Sequence, residues 1–270
     1  MSTEKPKLYL LLISVHGLIR GRDLELGRDA DTGGQTLYVV ELARALGAHP
    51  QIARVDLLTR RVLDSSVSAD YARHEEMLSD TARIIRLDCG EDAYLPKEHL
   101  WDCLDVFADN ALHWLREHEL TPDIVHSHYA DAGYVGIRLS SQLGVPLVHT
   151  GHSLGRVKRR RLLARGLKRD VIEARYNMSR RVEVEEDILG TAELVITSTN
   201  QEIEQQYGLY DHYQPEKMRV IPTGTELDNF YPPDGNERNS QIYRELGRFL
   251  LNPDRPVVLA PETSTVRTCT

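Results

Sequence analysis

Residues 8–47 read LYLLLISVHGLIRGRDLELGRDADTGGQTLYVVELARALG, and three kinds of chain follow one another in them. Residues 8–15 form an almost unbroken apolar run of strand length. The run is too short to span a bilayer and no small-residue cleavage site follows it, so it reads as a buried first strand. Residues 16–32 are a polar loop. Gly33-Gly34-Gln35 then opens a stretch, residues 35–47, whose apolar positions recur at helical spacing. A strand without polar alternation is buried on both faces, and a helix directly after it is the crossover that parallel strands require. The same alternation continues to the end of the chain. Strand-like runs fall at 54–59, 83–87, 123–126, 146–149, 194–198, 219–221 and 256–259, with helical spacing at 98–118, 132–143, 171–189 and 202–207. The pattern predicts an α/β fold, a Rossmann-like doubly wound parallel sheet. Gly47 and Gly144 stand where helix ends favour a left-handed residue, and Pro122 opens the strand beginning near Asp123.

Composition narrows the function classes. The 270 residues carry 33 Lys and Arg against 41 Asp and Glu, a net charge of −8, which argues against a general nucleic-acid or membrane-surface binder. Hydrophobic residues at 41% and charged residues at 27% are ordinary for a globular chain and exclude wholesale disorder. Length allows about two domains, or one enlarged α/β domain. Cys89, Cys103 and Cys269 are odd in number and show no close pair, so neither a disulfide framework nor a zinc ribbon fits; a reducing cytoplasm is the expected location.

Chemistry concentrates at the predicted carboxyl ends of the strands, where open α/β sheets bind ligands. Gly33 and Gly34 present backbone amides at a helix start, an arrangement that suits phosphate, although no Gly-x-Gly-x-x-Gly fingerprint is present. His126 and His128 share one face of a strand end. With no identifiable third ligand, a metal is not expected, and core or substrate-positioning histidines fit better. His149-Thr150-Gly151-His152-Ser153 ends the next strand, and no Gly-x-Ser-x-Gly elbow points to a hydrolase. The run Arg156, Lys158, Arg159, Arg160, Arg161, Arg165, Lys168 and Arg169 is a local anomaly in an acidic chain, with no acidic residue between Ser153 and Arg169. It reads as a solvated helix face, a nucleic-acid patch or a pocket for an anionic small molecule. Arg180-Arg181 joins it if the intervening helices fold back. The −8 charge argues against nucleic acid as a partner.

Five segments in order resemble the sucrose-phosphate synthase family, over residues from about 7 to 260. They are Gly33-Gly34-Gln35-Thr36, Tyr94-Leu95-Pro96-Lys97, His126-Ser127-His128-Tyr129-Ala130-Asp131, Thr150-Gly151-His152-Ser153-Leu154-Gly155, and Ala192-Glu193-Leu194-Val195-Ile196-Thr197-Ser198. The resemblance implies the N-terminal, acceptor-side half of a retaining GT-B glycosyltransferase. It implies transfer of glucose from UDP-glucose to fructose 6-phosphate, with UDP-glucose as donor substrate and no cofactor or metal. Carried over by motif, Lys97, Lys158 and Arg180 hold the acceptor phosphate, with Arg181 as the fallback if the register slips by one. Gly34 and Gln35 lie between sugars and diphosphate, Tyr129 and Ser153 contact the acceptor, and His152 contacts the glucosyl unit near the reacting centre as the catalytic residue.

The family's second domain supplies an Arg and a Lys for the diphosphate and a Glu, seven residues, Glu pattern for the nucleotide sugar. Glu185 and Glu193 match that spacing formally, but one falls in a predicted helix and the other just before a strand, so the match reads as coincidence. Residues 1–255 are therefore expected to form the acceptor domain. Residues 256–270 would be the start of a truncated donor domain with an atypical tail, and this chain alone is expected to be inactive, binding UDP-glucose only with a donor domain restored. Two rivals stand beside this reading: a synthase using another nucleotide sugar such as GDP-mannose, and a noncatalytic sugar-phosphate-binding module.

Overall fold

The computed structural model describes residues 6–224, 235–236, 239–250 and 252. The chain divides into two units, Met1–Ile221 and Pro222–Thr270. Among the described residues the first unit is built on one eight-stranded sheet: β1 (Leu8–Ile13), β2 (Ile52–Arg60), β3 (Glu75–Met77), β4 (Ala82–Leu87), β5 (Ile124–His128), β6 (Leu147–Thr150), β7 (Leu194–Thr197) and β8 (Met218–Val220). The order is β3-β4-β2-β1-β5-β6-β7-β8. Helices α1 (Gly34–Gly47), α2 (Leu104–Glu117), α3 (Tyr129–Leu143), α4 (Gly155–Ala164), α5 (Arg169–Tyr176) and α6 (Met178–Thr191) accompany it. In the second unit α7 spans Gln241–Gly247, and Ser240 caps it by accepting from the Tyr243 amide at 3.2 Å.

The unbroken apolar run of β1 follows from burial on both sides. Leu10 and Leu12 pack with Val39, Val40 and Ala43 of α1, while Tyr9, Leu11 and Ile13 face Phe107, Ala111 and Val135 of α2 and α3. A fully buried Leu or Ile contributes about 1.5–3 kcal/mol relative to exposure, so these two layers hold the sheet between the two helix sets. From β1 the chain runs outward through β2 to β4, then returns to place β5 on the other flank of β1. The β1/β5 boundary is thus the switch point, where loops leave in opposite directions and open a crevice at the carboxyl edge.

Several expectations need correction. The sheet is not wholly parallel, because β3 pairs antiparallel with β4; a three-residue strand containing two glutamates carries no apolar signal. The helix expected over 171–189 is two helices, since Asn177 at φ 44° takes the left-handed conformation that ends α5. Gly144 is left-handed at φ 69° as expected, but Gly47 is not: its value is close approach, because a Cβ there would meet Ala82 Cβ at 2.9 Å. The region 98–118 begins with two 3₁₀ turns, Lys97–His99 and Trp101–Cys103, before α2. The segment 202–207 is a single π-turn, Glu202–Gln206. The first part of the basic run, Arg156 to Arg161, lies in α4, while Arg165 and Lys168 fall between the helices and Arg169 opens α5; arginine is a good helix former. The strand at 256–259, the domain boundary before it and the tail lie outside the described residues. No described helix is long and apolar enough to cross a membrane.

Candidate functional site

The crevice is lined from both sides of the switch point. After β1 the chain turns through His16 and Gly17 and reaches the start of α1, where Gly33 and Gly34 have open space on the side a Cβ would occupy. The Gln35 side chain spans the boundary, donating from Nε2 to Ser14 Oγ at 3.3 Å and to the His128 carbonyl at 3.5 Å. After β5 there is no loop: α3 starts at Tyr129, three residues earlier than expected, and the reversal forces Tyr129 to φ 77°. A bulky residue held there is strained, and such strain concentrates at functional sites. His152, beyond β6, is held at φ 56°.

Imidazoles fill the centre. His126 and His128 do share one face, with ring centroids 4.2 Å apart. His126 Nε2 bonds Thr150 Oγ1 at 2.9 Å, and His128 Nδ1 bonds His152 Nε2 at 3.1 Å. Tyr38 of α1 packs edge-on against the His152 ring, with centroids 5.1 Å apart. Burial lowers these groups, to about 4 in His126 and about 3 in His149 and His152, with the neighbouring imidazoles adding to the effect in the last two; His128 is held well below its usual range. At neutral pH the cluster is therefore uncharged and serves as hydrogen-bonding surface. His128 Nε2 is buried without a partner. No group of three or more His, Cys, Asp or Glu arranged to hold a metal occurs among the described residues.

A second half of the site is cationic. Lys97 donates from its amide to Asp31 Oδ2 at 2.7 Å and from Nζ to Asp31 Oδ1, which ties it to the loop just before Gly33. Lys158, in the first turns of α4, places Nζ 3.5 Å from Glu98 and 4.1 Å from the Tyr176 ring centroid. Its partial burial, with Lys97 and Arg181 nearby, lowers its pKa from the ordinary lysine value. Arg180 bonds Asp102 at 3.1 Å and the Trp101 carbonyl at 3.3 Å. Lys97, Lys158 and Arg180 thus converge on one short segment, residues 97–102, although 83 residues separate the first from the last (180 − 97).

Arg181 differs from its neighbour. It is 3% exposed, donates from Nε to Glu185 at 2.9 Å and from Nη2 to the Ser153 carbonyl at 2.6 Å, and lies 4.5 Å from the Tyr129 ring centroid. It therefore holds the 151–154 turn in place. Glu185 also accepts from the Gly155 amide and the Tyr210 hydroxyl, so this carboxylate is a buried anchor within the domain. Sequence reasoning missed Asp31, Glu98 and the pair formed by His16 Nδ1 and Asp131 Oδ2 at 2.6 Å. His16 directly after the first strand, and Asp131 at the first turn of α3, were the available signals.

Comparison with known proteins identifies the family and the fold. A probable sucrose-phosphate synthase of Arabidopsis thaliana is 41% identical over 95% of this chain and 30% of its own length. The chain thus spans about 30% of the curated relatives it matches. A solved sucrose-phosphate synthase of Thermosynechococcus elongatus superposes with a TM-score of 0.66 at 29% identity, covering 86% of this chain and 52% of that one. The catalytic domain of starch synthase IV from Arabidopsis thaliana shares the fold at 14% identity, with a TM-score of 0.56 over 90% of this chain and 59% of that one. These likenesses fix the architecture as the Rossmann-like half of a GT-B glycosyltransferase. The model of Glycosyltransferase Family 4 matches residues 32–229, a span that takes in the glycine turn, the histidine-bearing strand ends and the converging cations, and the chain belongs to that family.

Proposed function

We propose that this chain is the acceptor-side half of a sucrose-phosphate synthase, which transfers glucose from UDP-glucose to fructose 6-phosphate to give sucrose 6-phosphate and UDP. The observation that carries the reading is the convergence of Lys97, Lys158 and Arg180 on residues 97–102, beside the loop that leads to Gly33 and Gly34. A phosphate entering there exchanges the carboxylates of Glu98 and Asp102 for a dianion. Charge-assisted hydrogen bonds of this kind contribute about 1.5–3 kcal/mol each. Free fructose offers the same three groups a hydroxyl but no negative charge.

The remaining residues take the roles that the resemblance by motif implies. Tyr129 and Ser153 flank the acceptor, with Arg181 fixing Ser153 through its carbonyl. The uncharged His152 gives or takes a hydrogen bond with a sugar hydroxyl near the anomeric carbon without placing charge there. Gly34 and Gln35 border the diphosphate, where the amides at the start of α1 favour the negative charge that grows as the sugar–phosphate bond breaks. Positive groups of a donor domain complete that stabilisation. UDP-glucose is a substrate, and the reading calls for no cofactor and no metal. Cys89 and Cys103, both buried and unpaired, fit a reducing cytoplasm.

Calorimetry tests the acceptor assignment. The chain should bind fructose 6-phosphate measurably better than fructose, and the preference should shrink in Lys158→Ala and Lys97→Ala. Equal affinity for the two sugars would remove the assignment. Joining a donor domain to the chain should then yield sucrose 6-phosphate from UDP-glucose; turnover only with GDP-mannose would reassign the donor.

A further inference from the structure

The basic run of α4 does not act as one patch, because the helix divides it. Lys158 turns toward Glu98 and Tyr176 at the acceptor side. Arg156, Arg159 and Arg160 turn instead toward a separate, open-mouthed cavity of about 670 Å³, lined on its other sides by α5, the start of α6 and Leu209. Arg169 of α5 joins them. Of the four, Arg156 is held by Glu186 at 2.5 Å and Asp211 at 2.9 Å. Arg159, Arg160 and Arg169 have no hydrogen-bond or ion-pair partner among the described residues. Two acidic residues share the lining, and neither forms an ion pair with these arginines among the described residues: Glu173 accepts from the Ser179 amide at 3.1 and 3.0 Å and from the Ser179 hydroxyl at 2.9 Å, and a single further carboxylate, Asp170, leaves the lining net cationic. The floor is apolar, formed by Leu163, Ile172 and Leu209.

Unpaired guanidinium groups crowded around one concavity repel one another, and a planar donor fork matches phosphate oxygens better than it matches water. A cavity of this size fits a small organic molecule, and an apolar floor beneath a cationic rim fits one with a flat or apolar body and an anionic end. We propose that this cavity is a second ligand site, distinct from the acceptor pocket, for a small phosphate ester whose ring-bearing body lies on Leu163, Ile172 and Leu209 while its phosphate is held by Arg159, Arg160 and Arg169.

The probe is adenosine 5′-monophosphate, titrated calorimetrically into the full 270-residue chain beside adenosine and inorganic phosphate. The expected result is binding of the monophosphate, weaker binding of inorganic phosphate and none of adenosine. Arg159→Gln combined with Arg160→Gln should weaken the monophosphate ten-fold or more, and Arg169→Gln alone should weaken it less. Neither side chain of the double variant makes a contact whose loss would unfold the domain. Fructose 6-phosphate should not displace the monophosphate, and Lys158→Ala should leave its affinity unchanged, so failure here is separable from failure of the acceptor assignment. Absence of binding, affinity indifferent to the arginine variants, competition with fructose 6-phosphate, or equal affinity for inorganic phosphate would each overturn the proposal. So would an RNA or an acidic peptide that binds through the same arginines while the monophosphate does not.

Discussion

Arg180 and Arg181 are adjacent in sequence and opposite in consequence, and replacing each in turn measures the difference. Arg181→Met removes the guanidinium from a pocket in which its own side chain and that of Glu185 are each 4% exposed. The Glu185 carboxylate keeps the Gly155 amide, at 3.0 and 2.9 Å, and the Tyr210 hydroxyl, but loses its only cationic partner among the described residues. The Ser153 carbonyl loses a 2.6 Å donor at the same stroke. Breaking a buried pair by removing one member costs about 3–5 kcal/mol, because the other charge stays behind without compensation. Methionine restores part of the apolar packing, so the lower end of that range is expected, roughly 3 kcal/mol, a large share of the 5–15 kcal/mol typical of a domain. Arg180→Ala breaks a pair whose aspartate, Asp102, has a side chain 93% exposed, and such pairs are worth about 0–1 kcal/mol. Urea denaturation followed by circular dichroism reads both values, and fructose 6-phosphate calorimetry on the folded fraction reads the second consequence. Arg180→Ala should lose acceptor affinity with its stability intact. Adding Glu185→Gln to Arg181→Met retains an oxygen for the Gly155 amide and removes the stranded charge, so the double variant should recover part of the loss. If Arg181→Met costs under 1 kcal/mol, or no more than Arg180→Ala, the buried-anchor reasoning is wrong.

Gly17 sits at φ 81° with the position of a Cβ only 2.5 Å from the Asp31 carbonyl oxygen, so Gly17→Ala combines a left-handed penalty of roughly 1–2 kcal/mol with a backbone clash. A loss on the order of 3 kcal/mol is expected, with a weaker preference for fructose 6-phosphate because Asp31 holds Lys97; an unchanged urea midpoint would refute it. The buried imidazoles make stability depend on pH in a defined direction. In the folded protein His126 titrates at about 4, and His149 and His152 at about 3, each lowered by burial, whereas the unfolded chain takes up these protons near pH 6.5. Their contribution is therefore complete above pH 6.5 and is lost as pH falls, through about 4 for His126 and about 3 for His149 and His152, by up to about 1.4 kcal/mol per unit for each imidazole. Denaturation midpoints that stay level from pH 7 to 5 would contradict this. Asp131→Asn leaves His16 with a weaker partner and should cost about 1–3 kcal/mol, measurable in the same assay, while an effect under 0.5 kcal/mol would mean the pair is idle.

The fold class was legible in the sequence because burial on both faces of a parallel strand leaves a run, such as residues 8–13, with no polar alternation to hide it, and because helices must separate such strands. The strand ends bearing His126, His128 and His149, and the glycine turn before α1, could be placed at one edge for the same reason. Charge and helix breaks were less legible. Asn177 ends a helix through a single backbone rotation that periodicity does not register, and β3 has too few apolar residues to show at all. The basic run left a solvated helix face, a nucleic-acid patch and an anion pocket open, and spacing along the chain could not say which cations faced which neighbours. That depended on the angular position of each side chain around α4 and on what packed opposite: Glu98 beside Lys158, the Leu209 cavity beside Arg159 and Arg160. Likewise, two neighbouring arginines of identical chemistry became a partly exposed cation and a buried anchor only when α6 docked with one toward Trp101 and the other toward Glu185 and Ser153. Local sequence fixes what a residue can do; the partners it meets across tens of residues decide which of those things it does.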